Sequence, residues 1–323
     1  MSNEIMVFVE IQGGEIANTS KSAFTVAQAL AESKGWNISV LILGSGIDAK
    51  AKECSQYSAS KTYYYDHQEL QNYRSLPFTK VMLQCIKENS PEVIIFGYST
   101  TSTDFAARVS TSAGVGLLTG ATEINWDGDN ISVIRPIYND KLNQKFLLKG
   151  NPKMIILGPG AFAAVKPDSS KSGEIINCTA NFEEGDLIET VVSTETVERS
   201  VDLSEAKLIV SGGRGVGSKE KFKVIFDTAE ALGGQVASSR AVWDAGWLEN
   251  DFHVGQTGQT VAPDVYIAAG ISGAVQHTAG MKKSKTIIII NTDPDAPIWS
   301  VGHFGIVGDL HKVLPLISQK IKE

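Results

Sequence analysis

Apolar positions in the first half of the chain alternate between short continuous runs and helix-spaced sets. Ile5–Ile11 reads as a strand, and Ser22–Ser33 as a helix whose inward residues are Phe24, Val26, Ala27, Leu30 and Ala31. Ile38–Leu43 predicts the next strand, followed by helical spacing near Ala49–Ser58. Lys61–Tyr65 is rich in β-branched and aromatic residues, Phe78–Glu88 is helical, Val93–Phe96 is a buried strand and Asp104–Ser112 a short helix. Strands separated by helices imply a parallel sheet covered on both faces.

The rhythm then shortens. Thr122–Asn125, Ser132–Pro136, Gln144–Leu148 and Met154–Leu157 read as short strands, with turn signals at Asp127-Gly128-Asp129 and Gly150-Asn151-Pro152. Their spacing predicts antiparallel additions to the parallel sheet. Pro167–Asp186 is polar, Leu187–Val197 predicts one more strand, and a domain boundary is expected near Asp202. From Ala206 the alternation restarts. Leu208–Val210, Gln235–Ala237, Val265–Ala269 and Thr286–Ile290 are predicted strands, and Ile306–Val307 a fifth. Predicted helices cover Glu220–Leu232, a stretch from Gly273 to about Met281, and Asp309–Ile321. The expected fold class is α/β. An N-terminal parallel α/β domain with antiparallel additions spans 1–201, and a smaller doubly wound, Rossmann-like domain spans 202–323.

Composition narrows the setting. The 323 residues are 42% hydrophobic, enough for two cores, and no apolar run approaches the ~20 residues that span a bilayer. Met1 leads almost directly into a strand, with no secretory-type leader. Cys54, Cys85 and Cys178 are far apart, which fits a reducing compartment and argues against a zinc site or disulfide framework. A net charge of -7 makes nucleic acid a poor partner. A cytoplasmic protein without membrane insertion is expected.

In an open parallel sheet, ligands bind outside the carboxyl ends of the strands. The four confident strands of the second domain end in Ser211-Gly-Gly-Arg214-Gly215, Ser238-Ser239-Arg240, Gly270-Ile-Ser272-Gly273-Ala274-Val275-Gln276-His277 and Asn291-Thr-Asp293. All carry small or polar groups suited to phosphates, hydroxyls or a heteroaromatic ring. The first loop approximates GxGxxG, with Ser218 in place of the last glycine. A dinucleotide fold for NAD usually places an acid ~20 residues past that loop, where this chain has Ser238-Ser239-Arg240. Ser272-Gly273 is expected to open a helix whose first-turn amides favour an anion, with His277 at the same mouth. His67, His303 and His311 have no such context. Gly246–Pro263 is long for a connection and contains Val254-Gly255-Gln256-Thr257-Gly258, so a functional loop is expected. No GxSxG, P-loop or HExxH occurs. A cofactor site without a substrate-transforming group suggests a carrier.

Tyr266–Gly280 and Lys285–Asn291 closely resemble the signature of the electron-transfer flavoprotein alpha subunit. Ser239-Arg240-Ala241, Asp244-Ala-Gly246, Val254–Gly258 and Gly305–Leu310 resemble the same family in the same order. The likeness is dense over Lys207–Pro315 and looser before it, at Arg135-Pro136 and Gly160-Ala161-Phe162. It implies bound FAD and a heterodimer with a beta subunit, contacted by residues 1–201. It also implies a dehydrogenase donor, such as an acyl-CoA dehydrogenase, and a downstream acceptor oxidoreductase.

By the same resemblance, Arg240 sits against the isoalloxazine, His277 bonds its pyrimidine edge near the C2 carbonyl, and Thr257 bonds near N5. Val254, Gly255, Gly273, Ala274 and Val275 complete the motif segments. Arg214, Ser239, Gln256, Ser272, Gln276 and Asn291 hold the ribityl and pyrophosphate, and Asp309 and Leu310 meet the adenosine. No catalytic residue and no metal is implied. The sequence departs from the family at His253, where an amide such as Gln is usual, at Trp243, at Gln259 in place of a frequent Lys, and at Leu157-Gly158-Pro159, which lacks an Arg. Three alternatives stay open: an electron-bifurcating, NADH-oxidising version, a NAD-dependent transferase or reductase, and a scaffold with a degenerate pocket.

Overall fold

The computed structural model describes residues 3–138, 141–194, 201, 203 and 206–322, in two compact units spanning 1–194 and 195–323. Asp202, the expected boundary, lies outside the described residues.

The first unit begins with β1 (Glu4–Val9), the short hairpin β2 (Ile11–Gln12) and β3 (Glu15–Ile16), α1 (Asn18–Lys34) and β4 (Asn37–Gly44). It continues through α2 (Asp48–Cys54), β5 (Lys61–Asp66), α3 (Ser75–Asn89), β6 (Val93–Phe96) and α4 (Thr100–Ala113). Then come β7 (Leu117–Ala121), β8 (Glu123–Asp127), β9 (Asn130–Ile137), β10 (Leu142–Leu148), β11 (Lys153–Leu157) and β12 (Glu174–Asn177). Seven strands form one parallel sheet in the order β12-β5-β4-β1-β6-β11-β7. All residues of β1, β6 and β11 are buried, as expected of central strands packed on both faces.

Three expectations for this unit need correction. Met154–Leu157 is not an antiparallel addition, because β11 runs parallel between β6 and β7. Its unbroken apolar run is the mark of a two-sided buried strand, whereas β8–β10 form their own antiparallel sheet. The polar stretch Pro167–Asp186 contains β12, an edge strand that pairs parallel with β5 through its main chain while exposing most of its side chains. Leu187–Val197 forms no strand over 187–194, and its remaining residues lie outside the described ones. Glu189 is instead tied to the start of α3. Its carbonyl accepts from Arg74 Nη1 (2.7 Å) and its carboxylate from Ser75 Oγ (2.8 Å).

The second unit runs through β13 (Leu208–Gly212), α5 (Lys223–Leu232), β14 (Gln235–Ser238), α6 (Arg240–Asp244) and β15 (Val265–Ala269). It closes with α7 (Val275–Met281), β16 (Thr286–Asn291), β17 (Phe304–Val307) and α8 (Leu310–Lys322). The strands are parallel in the order β14-β13-β15-β16-β17. The chain leaves β13 for β14 on one side and returns to β15 on the other. Ligand crevices form at such switch points. Cores on both sheet faces fix the strands, Tyr266, Ile209 and Ile289 on one and Val210, Phe222 and Ile290 on the other. The crevice therefore has a rigid floor.

Candidate functional site: a cleft at the switch point

The floor is made of backbone. Gly213 N donates to Ala269 O (2.9 Å) and Gly215 N to Gly270 O (3.0 Å), which seats the loop after β13 directly on the loop after β15. A Cβ on Gly213 would stand 2.2 Å from Gly270 O, so only glycine allows this approach. These glycines serve loop contact. Gly215 lies within a 3₁₀ turn, Arg214–Val216, and a second 3₁₀ turn, Glu220–Phe222, precedes α5. His311 Nε2 lies 3.0 Å from Val216 O and holds the loop from α8. His303 Nδ1 accepts from Ile287 N and His67 Nδ1 from Glu69 N, structural roles that agree with their lack of sequence context.

The irregular segment between α6 and β15 is tied down at three places. Val254 N donates to Ser238 O (3.0 Å), Gln256 N to Gln276 O (2.7 Å) and Gln259 N to His253 O (2.8 Å). Gly280 of α7 packs on Gly255 so closely that a Cβ there would lie 2.6 Å from Gly255 N. Gln259 is buried, its Oε1 accepting from Leu203 N (3.0 Å) and its Nε2 donating to Val201 O (2.9 Å) and Asp251 O (2.5 Å). Gln259 thus fastens this loop to the start of the unit.

Between these walls lies a cleft of about 420 Å³. Eight expected residues line it: Ser239, Arg240, Thr257, Ser272, Gly273, Ala274, Gln276 and His277. Ala241, Asp244, His253 and Ile271 line it as well, outside the expected set. The i, i+4 spacing of Arg240 and Asp244 signals their pairing, whereas no local pattern places the His253 ring. The other eight expected residues do not line the cleft. Val254 and Gly255 are buried behind it, Gln256 and Val275 are exposed beside it, and Arg214 lies exposed in the turn after β13. Asn291 Nδ2 donates to Ile271 O (2.9 Å), joining the ends of β16 and β15. Asp309 Oδ1 accepts from His311 N (2.9 Å) at the start of α8, and Leu310 is buried against Gly270. The helix expected to open at Ser272-Gly273 starts later, at Val275, because Gly273 adopts φ +90 and Ser272 O accepts from Ile298 N.

Charge in the cleft is sparse. Arg240 Nη1 donates to Thr257 Oγ1 (3.2 Å), its Nε lies 3.6 Å from Asp244 Oδ1, and its guanidinium lies 5.5 Å from the centroid of the Trp243 ring. His277 is 6% exposed, with Nε2 3.2 Å from Tyr266 Oη, and burial pushes its pKa down to about 4. Burial, then the Arg240 charge, also lowers that of His253. Both rings are neutral near pH 7.

Among the described residues of this unit, Ser238 Oγ and His253 Nδ1 are sealed side-chain polar atoms without a hydrogen-bond partner, while Ser211 faces Tyr266 and His277 the Val254 backbone. Ser211 and Ser238 stand at the carboxyl ends of β13 and β14, and both histidines line the cleft. The cleft itself is lined by hydroxyls, an amide, two imidazoles and one guanidinium, which suits a polar, hydrogen-bonding ligand. Neutral imidazoles beside one guanidinium suit a heteroaromatic ring with carbonyl acceptors. The residues fit a flavin.

A family profile described as the electron transfer flavoprotein domain matches residues 5–182, and one described as the electron transfer flavoprotein FAD-binding domain matches residues 202–282. The chain belongs to the electron transfer flavoprotein alpha-subunit family. It is 36% identical to an electron transfer flavoprotein subunit alpha of Thermoanaerobacterium thermosaccharolyticum, over 99% of this chain and 98% of the relative. It is 36% identical to the Bacillus subtilis protein of the same name, over 100% of this chain and 98% of the relative. Protein FixB of Azotobacter vinelandii is 39% identical over 88% of this chain and 81% of the relative. FAD is the cofactor of this alpha-type subunit. The α/β fold with two parallel sheets agrees with the resemblance read from the sequence. No described helix is long and apolar enough to cross a membrane.

Proposed function

We propose that the flavin ring of FAD sits in the cleft walled by Arg240, Thr257 and His277, and that the chain works as an electron carrier between proteins. FAD supplies the redox chemistry when bound, and the protein sets its orientation and electronics. Arg240 provides the one fixed positive charge, which favours electron density on a neighbouring ring. Thr257 offers a hydroxyl held in place by Arg240. His277 lines the cleft with a neutral imidazole whose Nε2 lies 3.2 Å from Tyr266 Oη. Gln276, Ser272 and Ser239 extend the same wall toward the ribityl chain. Arg214, Asn291, Asp309 and Leu310, which lie off the cleft, fall to the pyrophosphate and adenosine, along a crevice that continues past the carboxyl ends of β13 and β16.

The observation that carries the reading is this cleft of neutral imidazoles around one arginine at the switch point. Among the described residues no cluster of ligands suits a metal ion. The partner is a beta subunit, docked chiefly on residues 1–201, with the flavin domain taken as 202–323. Exposed apolar side chains on β17 and α8, among them Phe304, Val307 and Leu316, are further surface for a partner chain to cover. Electrons come from a cytoplasmic dehydrogenase, of which acyl-CoA dehydrogenases are one class, and leave for an acceptor oxidoreductase.

The test is FAD per heterodimer after coexpression with the beta subunit, followed by anaerobic titration with NADH. One FAD that NADH leaves oxidised is the expected result. Two FADs reduced by NADH would establish a bifurcating complex instead, and no flavin would refute the reading.

A further inference from the structure

Arg240 brings a positive charge to the cleft, yet the side chain that carries it is more than half exposed. A long, flexible cation in that position gains little by folding back over a cavity. Its ion pair with Asp244 is loose, with Nε 3.6 Å from Oδ1, and water screens most of the attraction between two such exposed groups. Its hydrogen bond to Thr257 Oγ1 is 3.2 Å long. Neither contact alone fixes the charge.

Helix α6 supplies a third contact. Trp243 and Asp244 stand three and four residues after Arg240, so both side chains flank it on one face of the helix. The guanidinium carbon lies 5.5 Å from the centroid of the Trp243 ring, within the range of a cation–π interaction. Trp243 is itself anchored. Its ring lies nearly parallel to that of His253, with planes inclined by 12° and centroids 6.1 Å apart, and His253 is 2% exposed. Burial thus falls outward in three steps, from a sealed imidazole through a partly exposed indole to a guanidinium at the mouth. The indole carries the rigidity of the interior out to the charge.

We propose that Trp243 is a positioning residue for the redox centre, whose indole holds the Arg240 guanidinium at the cleft by a cation–π contact and so keeps the FAD midpoint potential high. The inference rests on the flavin occupying this cleft. A cation beside the ring favours its reduced form, so an Arg240 released toward solvent lowers the potential. An indole suits this task where a second carboxylate would not. It attracts the guanidinium through its quadrupole and adds no negative charge to offset the field that the flavin feels.

The test compares Trp243→Leu, which keeps apolar bulk but has no π face, with Trp243→Phe, which keeps one. In anaerobic redox titration of the FAD-loaded heterodimers, the Leu variant should lower the potential of the first one-electron step by about 30 mV. That is about a threefold change in the equilibrium at ~59 mV per tenfold, the size expected of an exposed cation–π contact. The Phe variant should stay within about 10 mV of the native protein, about 1.5-fold. A second measurement needs no flavin. In spectra of the flavin-free heterodimer labelled with ¹³C,¹⁵N-arginine, the Arg240 side chain, identified by its loss in Arg240→Lys, should carry an aromatic ring-current shift. Trp243→Leu should abolish that shift and Trp243→Phe keep part of it. Equal potentials in the native and Leu proteins, equal changes in the Leu and Phe variants, or no ring-current shift overturns the proposal. So does a folded Leu variant that no longer retains FAD, which would make Trp243 a wall of the site. A native heterodimer without any flavin refutes the cleft assignment itself, a separate outcome.

Discussion

Buried neutral histidine makes the second unit acid-sensitive, and His277 allows the effect to be calculated. Burial lowers its pKa from 6.5 to about 4. Between those values the unfolded chain binds a proton that the folded chain refuses, so unfolding becomes easier as pH falls. The contribution is constant above the unfolded pKa and is lost as pH drops toward the folded one. At pH 4.5 the difference amounts to about 2.5 kcal/mol, taking about 1.4 kcal/mol per pKa unit and allowing for partial protonation. That is a sizeable share of a typical domain stability of about 5–15 kcal/mol. The assay is urea unfolding of the flavin-free chain at pH 7 and pH 4.5, followed by Trp243, Trp247 and Trp299 after Trp36 and Trp126 are changed to Phe. His277→Gln keeps a polar partner for Tyr266 and cannot titrate. Carboxylates and His253 titrate alike in both proteins, so the difference between the two pH dependences isolates His277. The native chain should lose about 2.5 kcal/mol more than the variant between pH 7 and 4.5. Identical losses would refute the claim that this imidazole is held neutral by burial.

Three further outcomes follow from the loop and the cleft. Gly258→Ala would place a Cβ 2.4 Å from His253 O, so the loop must shift, costing about 1–3 kcal/mol, with loss of copurifying flavin read by absorbance. Asp244→Asn removes the carboxylate beside Arg240 and should raise the flavin midpoint potential in a redox titration. Because both side chains are 56% exposed, the change should stay below about 1 kcal/mol. Gln259→Ala leaves Leu203 N, Val201 O and Asp251 O without their side-chain partner, and should cost about 2–3 kcal/mol in urea unfolding at pH 7.

Strand-helix alternation was legible because apolar runs such as Val265–Ala269 and Thr286–Ile290 cannot be satisfied outside a two-sided sheet. Pairing direction was less so. Met154–Leu157 carries a buried parallel strand's composition, but its neighbours in sequence are hairpin strands, and proximity along the chain misleads. β12 is only half apolar and short, because an edge strand can pair largely through its backbone. In the cleft, strand ends located Ser239, Arg240, Ser272 and His277, since topology dictates where a strand's carboxyl end must point. The sequence marks His253 as a departure beside the flavin motif and Asp244 as part of a matching segment, without assigning either to the cleft. Asp244 shows its i, i+4 spacing from Arg240 but sits on the five-residue helix α6, and His253 enters the cleft because an irregular loop folds back on Gly258.

The electrostatics of the cleft bear on the proposal that the chain is a carrier rather than an enzyme that moves protons. A general acid or base works best with a pKa near the operating pH. Both imidazoles here are driven the other way, His277 to about 4 by burial and His253 downward by burial and the Arg240 charge. Neither can exchange a proton readily at neutral pH, and Asp244 is engaged with Arg240. What remains is a set of fixed dipoles and one guanidinium around a cavity whose floor is locked by backbone contacts between Gly213, Gly215 and Gly270. With both imidazoles neutral near pH 7, the protein's own contribution to the site is dipolar apart from the Arg240–Asp244 pair. That arrangement agrees with the proposed role as an electron carrier, which needs no proton-transferring side chain.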